Sequence, residues 1–289
     1  MSFGIALAGG GAKGSAHVGV LMALAEENLL PDSISGTSSG SIVAGLYAVG
    51  ISPIRMKKII YNLSRHGSEL LDPNYKEIVN TGISLFSNKE IYLSGLMKGN
   101  KLEKFIQNYT KNKKISDVNI PIVIPTVDLN SGKTVVFNNS KNNLPFLNNI
   151  IWENDIKLST AIRASSSVPG IFDPIFMKKY CLVDGGLTDV LPVDLLIASG
   201  EKNVIAVDIS EEYEKPNNTN LLETIMHSFY VIRDRLQESK KTNQKLTIKP
   251  NLPNSAGLLS FKQMIKCMDA GYEATKRMIP EIRQLAHKN

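Results

Sequence analysis

The 289-residue chain is poor in cysteine and histidine and has no long apolar run. Two cysteines, Cys181 and Cys267, cannot make a disulfide framework for a chain this long, which points to a reducing cytosol. Cys181 lies in the apolar "YCLVDGG" and Cys267 in a helical pattern. Neither has a nearby histidine, so both read as small buried hydrophobes rather than nucleophiles. No uninterrupted apolar stretch approaches the ~20 residues of a membrane span. The opening "MSFGIALAGGGAKG" has no basic segment before its apolar run and is soon interrupted by glycine, which argues against a signal peptide. The expectation is a cytoplasmic protein, at most peripheral to the inner face of the membrane. Lys and Arg number 33 against 27 Asp and Glu, a net +6. No basic stripe is interleaved with aromatics, so nucleic acid is not an expected partner. No Cys/His cluster has metal-ligand spacing, so neither a metal nor an organic cofactor is expected. With no linker, repeat or low-complexity stretch, one domain over residues 1–289 is expected.

What is present is an ordinary apolar content, 43%, enough for a sizeable core. Short apolar runs such as "FGIALA", "SISGT", "KNVIAVDIS" and "KLTIKPNL" read as buried strands. They alternate with helical patterns, among them "SAHVGVLMALAEENLL", "SIVAGLYAVG" closed by Gly50, and "SPIRMKKIIYNL" with Ser52 and Pro53 at its start. "ENDIKLSTAIRASSS" reads as a helix ending before Pro169, and the last helical region as broken near Pro280. "PIVIPTVDL" and "TVVF" flank a turn at Gly132 and suggest an antiparallel pair. The sum is an α/β fold with a mostly parallel, mixed sheet. Residues 65–115 are less regular and read either as a cap over a site or as a surface excursion.

Three short motifs carry chemistry. Gly9, Gly11 and Gly14 spell G-x-G-x-x-G between a strand and a helix, the context of a dinucleotide loop. That reading needs an acidic residue at the end of the second strand, but "SISGT" ends in a serine turn, and Asp32, Glu26 and Glu27 all precede it. No Gly-Lys-Ser/Thr follows, so a P-loop fails as well. The same loop, Gly9, Gly10, Gly11, Ala12, Lys13 and Gly14, suits an oxyanion, because amides at a helix start bind anions. The second motif, "GTSSG", places Ser38 between Gly36 and Gly40 in the pattern of a nucleophile elbow. If the two strands are parallel neighbours, both loops open at one sheet edge. The four histidines, His17, His66, His227 and His287, occupy no strand-end loop; His17 is the one worth testing. The third motif supplies another base: Asp184, at the end of "YCLV", precedes Gly185 and Gly186. Its reference pKa of ~3.9 is low for a base, and burial in a cleft would raise it.

In order, "GGGAKG", "GTSSG" and "DGG", with "ASSSVPGIFDPI" and "LPVDLLIASG…NVIAVDIS", resemble the patatin-like phospholipases, especially their bacterial single-domain members. The resemblance runs from Phe3 to about Ser210, with residues 218–289 matching more loosely. It implies a three-layer α/β/α sandwich and a Ser–Asp dyad without histidine. Ser38 is then the nucleophile, Asp184 the base, and Gly9 to Gly11 the oxyanion hole. It implies a lipid or other ester as substrate, presented from a membrane surface. The chain departs from the family pattern in "DGGLTDVLP", where Asp189, Val190 and Leu191 precede the proline and no asparagine stands before it. Lys13 reads either as attracting an anionic head group or as a solvated charge at a helix start. Arg163 reads as a brace for the turn after it. Two rival classes remain: a dinucleotide-binding oxidoreductase and a non-catalytic lipid-surface protein.

Overall fold

The computed structural model describes residues 3–86, 94–210, 221–239, 242–254 and 256–287. In chain order the elements are β1 (Gly4–Leu7), α1 (Ser15–Glu26), β2 (Ser33–Gly36), α2 (Ser39–Ala48), α3 (Pro53–His66), α4 (Tyr75–Phe86), β3 (Gly95–Met97) and α5 (Asn100–Thr110). The central part contains β4 (Ile122–Asp128), β5 (Lys133–Asn138), β6 (Ile150–Glu153), α6 (Leu158–Ser165), β7 (Gly170–Phe172), β8 (Ile175–Met177) and β9 (Tyr180–Asp184). The chain ends with α7 (Val193–Ala198), β10 (Val204–Val207), α8 (Leu221–Ser239), β11 (Leu246–Ile248) and α9 (Met264–His287).

The main sheet runs β11-β10-β1-β2-β4-β5-β6, with β9 on β4 and β8 on β9. Pairings within β11-β10-β1-β2-β4 are parallel, while β4–β5, β4–β9 and β8–β9 are antiparallel. Every residue of β1 and β10 is buried. Continuous apolar strands of this kind belong to a parallel sheet covered on both faces. Helices lie on both sides of the sheet, a three-layer α/β arrangement.

The register along β4 positions the site. β2 runs parallel to β4 and pairs at its start, Ser35 opposite Val123. β9 runs antiparallel and pairs at its end, Asp184 opposite Thr126. The C-terminal ends of β2 and β9 therefore approach each other along one edge of β4, separated by the span of Ile124 and Pro125. Three residues of strand cover only ~10 Å. Pro125 has no N–H to leave unpaired in this gap between the two ladders.

The helix ends follow local chemistry. At the end of α2, Gly50 (φ 87°) donates its N–H to Tyr47 O and Ile51 donates to Leu46 O, a Schellman closure. Ser52 then accepts from Arg55 N–H at 3.3 Å, with Pro53 in the first turn of α3. The expected break at Pro280 does not occur: α9 continues through it to His287. Pro280 lies on the exposed side, where solvent can serve the Lys276 carbonyl deprived of its donor. Short β3, β6 and β7 were not legible as strands. Residues 65–115 contain α4, β3 and α5, and residues 87–93 of that stretch lie outside the described part.

Candidate active site

Ser38 stands between β2 and α2 with φ 53° and ψ −122°, a strained conformation for a residue with a Cβ. Its flanking glycines allow backbone to meet backbone. A Cβ on Gly36 would lie 2.4 Å from Gly40 O, and one on Gly40 would lie 2.4 Å from Leu7 O. Ser38 donates its N–H to Ser165 Oγ at 3.0 Å, and that hydroxyl donates to Pro125 O at 2.7 Å. Ser165 thus ties the strained turn to the gap in the β4 ladder. Ser165→Ala leaves a buried N–H unpaired, and the expected loss is about 1–3 kcal/mol of stability in urea unfolding. An unchanged midpoint overturns this bracing role.

Asp184 closes β9 and is 4% exposed. Its Oδ1 accepts Gly186 N–H at 2.7 Å, and its own N–H donates to Ser167 O at 3.0 Å. Oδ2 is buried and has no hydrogen-bond partner among the described residues. Burial pushes the carboxyl up to about 6, against the opposing pulls of the Gly186 amide and the Ser38 hydroxyl. The Ser38 hydroxyl therefore acts on this carboxyl without making a bond that satisfies Oδ2. Thr37 also links the two loops: its hydroxyl donates to Asp189 O at 2.7 Å.

The glycine loop lies against the same turn. A Cβ on Gly9 would come within 3.2 Å of Ser38 Cβ. Its amides divide into two groups. Gly9 N–H donates to Val190 O (3.0 Å), Gly10 N–H to Ser39 Oγ (3.1 Å) and Ala12 N–H to Leu258 O (2.9 Å). Gly11 and Ser39 are only half-buried, and their N–H groups have no acceptor among the described residues. Both open helical turns, where amides lack intrahelical partners. Gly11 has φ +60°, and a Cβ there would meet Leu258 Cα at 2.5 Å, so only glycine fits. Of the glycines expected to present amides, Gly9 and Gly10 donate theirs within the protein and Gly11 does not; the sequence reading did not single out the similarly placed Ser39 amide. The residue after a nucleophile-elbow serine was the available signal for it. Gly14 packs on Ser39, where a Cβ would meet its Oγ at 2.4 Å, and a Cβ on Gly185 would meet Pro125 O at 2.3 Å.

Ser38, Ser39 and Gly11 open onto an apolar cavity of about 1000 Å³, its mouth included. Its walls come from α2 (Ile42, Leu46), α3 (Met56, Ile60), α5 (Phe105) and the stretch around Leu258.

The other singled-out residues are elsewhere. His17 is fully buried, its Nε2 bonded to Ala8 O at 2.8 Å, and burial lowers its pKa to about 4. His66 is exposed beside Glu69, and His227 packs edge-on to Tyr230. Among the described residues none of these rings hydrogen-bonds Ser38 or Asp184. Lys13 is 8% exposed, so most of its side chain is buried. Arg163 is a buried brace: it donates to Gly99 O, Lys98 O, Asp173 O and Ser167 Oγ. Cys181 and Cys267 are buried and form no disulfide among the described residues. Among the described residues no group of His, Cys, Asp and Glu could hold a metal ion.

The chain resembles known proteins over most of its length. The chain is 24% identical over 300 residues to an uncharacterized NTE family protein of Mycobacterium tuberculosis, covering 95% of this chain and 46% of the relative. It is 25% identical to Lysophospholipase NTE1 of Mycosarcoma maydis (93% of this chain, 12% of the relative). It is 28% identical to human patatin-like phospholipase domain-containing protein 6 (74% and 14%). The chain thus spans less than half the length of these relatives. Similar solved folds include VipD from Legionella pneumophila, with TM-score 0.51, 14% identity, and 97% of this chain and 67% of that chain covered. ExoU in the ExoU–SpcU complex of Pseudomonas aeruginosa gives TM-score 0.52, 18% identity, and coverage of 98% and 52%. The family profile described as "Patatin-like phospholipase" matches residues 5–197, two thirds of the chain, so the chain belongs to the patatin-like phospholipase family.

Proposed function

We propose that this chain is a carboxylic ester hydrolase acting on acyl lipids, with Ser38 as nucleophile and Asp184 as general base. The observation that carries the reading is the convergence of β2 and β9 on one edge of β4. It brings a strained serine that lines an apolar cavity together with a buried carboxyl whose Oδ2 has no partner among the described residues. The acyl chain lies in the cavity and the ester carbonyl reaches Ser38.

Asp184 takes the Ser38 proton as Oγ attacks the carbonyl carbon. Gly11 N–H and Ser39 N–H hold the oxyanion, and Gly10 N–H can join them by leaving Ser39 Oγ. As the tetrahedral adduct collapses, the alcohol departs with the proton from Asp184. Water then gives a proton to Asp184 and attacks the acyl-enzyme. The acid is released, and the proton returns to Ser38. A carboxyl with pKa near 6 is ionised at neutral pH and remains basic enough for this exchange.

The dinucleotide reading finds little support. Gly9, Gly10 and Ala12 amides are already donated within the protein, and β2 ends in Gly36 with no carboxylate for a ribose. The substrate is expected at a lipid surface on the cytoplasmic side; no helix among the described residues is long and apolar enough to cross a membrane.

The test is a panel of phospholipids, lysolipids and short-chain esters, with fluorophosphonate-treated protein as blank. Turnover abolished by a label on the Ser38 peptide is expected. Vesicle binding with neither turnover nor labelling favours the non-catalytic alternative and overturns the reading.

A further inference from the structure

Three consecutive serines close α6, and the outer two hold the two halves of the site. Ser165 Oγ accepts the Ser38 N–H, and the Ser167 carbonyl accepts the Asp184 N–H. Ser166 lies between them, within one Cα step of each. Its N–H donates to Ile162 O and Arg163 O, so its backbone is fixed. Its hydroxyl is buried and has no partner among the described residues. The residue is 6% exposed and lines the cavity together with Ser38, Ser39 and Gly11. A buried hydroxyl left unpaired carries a desolvation cost that a bound polar atom would relieve. Asp184, whose amide donates to the Ser167 carbonyl, carries a second buried oxygen, Oδ2, with no partner among the described residues.

We propose that Ser166 is a substrate-contacting residue whose hydroxyl donates a hydrogen bond to the bridging oxygen of the scissile ester. This inference rests on the hydrolase reading. The tetrahedral carbon on Ser38 Oγ has three other substituents. Its oxyanion goes to the free amides of Gly11 and Ser39, and its acyl chain to the apolar cavity. The bridging oxygen is the polar atom left, and it must face Asp184, whose proton it takes. Ser166 lies on that side because the next carbonyl in the chain is bonded to the Asp184 amide. The bond strengthens as the C–O bond breaks and charge gathers on the departing oxygen, so it acts on the transition state more than on the bound ester. No proton leaves Ser166; the leaving alcohol is protonated by Asp184.

Leaving-group dependence separates this role from a structural one. Ser166→Ala is compared with wild type on two esters of the same acid, an alkyl ester and a p-nitrophenyl ester. The alkoxide needs the hydrogen bond and the nitrophenolate does not. The expected result is a kcat/KM roughly ten- to a hundredfold lower for the alkyl ester. The aryl ester is expected to lose far less, and Ser38 to be labelled by a fluorophosphonate at the wild-type rate. Thermal stability of the free protein is expected to hold or rise, because the hydroxyl has no partner to lose and its desolvation cost is removed. Equal losses on both esters, no loss on either, a fall in Tm or slowed labelling each overturn the proposal. Wild-type protein inactive on both esters and unlabelled sinks the hydrolase reading itself, a result distinct from failure of Ser166 alone.

Discussion

Asp184→Asn is expected to lower kcat/KM for ester hydrolysis by ~10⁴-fold, the upper end of what a positioned general base contributes. Ser38→Ala lowers it by ~10⁶-fold, the scale of losing a hydrolase nucleophile. The asparagine variant carries an opposite effect on stability. The Asp184 carboxyl is raised from 3.8 in the unfolded chain to about 6 in the fold. An acid shifted upward holds a proton in the folded state that the unfolded state has already released. Its burden is absent below pH ~3.8, grows between 3.8 and about 6, and is complete above 6. Replacing it with a neutral amide of the same shape removes a cost on the order of 3 kcal/mol at pH 8. Oδ1 has its Gly186 N–H in either case. Urea midpoints for wild type and Asp184→Asn should therefore separate at pH 8, with the variant more stable, and converge toward pH 4. Wild-type kcat/KM rises with pH and levels off above about 6, as the base ionises. A variant that is less stable at pH 8, or that retains turnover, contradicts a buried, ionised base at this position.

The activity and stability effects share one cause. A carboxyl buried at 4% exposure with Oδ2 unpartnered is a poor structural element and a good proton acceptor. Function is thereby held against folding, and the compensation lies in the surrounding bonds. Thr37 to Asp189, Ser165 to Pro125 and the Asp184 amide to Ser167 each link segments distant in the chain.

Local patterns made much of this legible. The continuous apolar β1 and β10, the glycine loop, the G-x-S-x-G turn and the Asp-Gly-Gly turn depend on neighbours along the chain, so periodicity and spacing reveal them. The β4–β5 antiparallel pair was legible for the same reason. The gap between β2 and β9 along β4 was not, because its register is set by pairings between segments more than fifty residues apart. The roles of Ser165 and Ser166 were hidden too: "ASSSVP" is readable as a helix end, but which hydroxyl finds a partner depends on where β2 and β9 arrive. Lys13 and His17 show the same limit. Each lies near a helix start with nothing local to mark it as buried: the chain around Leu258 bonds to the turn that holds Lys13, and His17 turns inward onto Ala8 O at the end of β1. The donors left free in the glycine loop were likewise beyond sequence, since the acceptors of the occupied amides are Val190, Ser39 and Leu258.

Gly40→Ala is expected to cost more than ~4 kcal/mol and to leave little folded protein, because the added methyl has nowhere to go. Its Cβ would sit 2.4 Å from Leu7 O and 2.8 Å from Ala8 O, the carbonyls of β1 and its extension. Leu7 is paired with both β2 and β10 through its strand, so the obstructing atoms are fixed backbone. Relief requires α2 to lift off β1, which also moves Ser38 away from the glycine loop. Gly50→Ala provides the contrast just past the end of the same helix. Nothing lies within 4 Å of a Cβ there, and the penalty is confined to the φ of +87°. That conformation costs an alanine about 1–2 kcal/mol. Urea unfolding of the two variants separates a steric requirement from a dihedral one. If Gly40→Ala matches Gly50→Ala in stability and retains esterase turnover, α2 does not rest on β1 as described. The glycines flanking Ser38 would then reflect turn flexibility alone. If the large difference holds, the pattern around Ser38 has a packing cause: two backbones must touch for the serine to face the cavity, and only residues without a Cβ permit it.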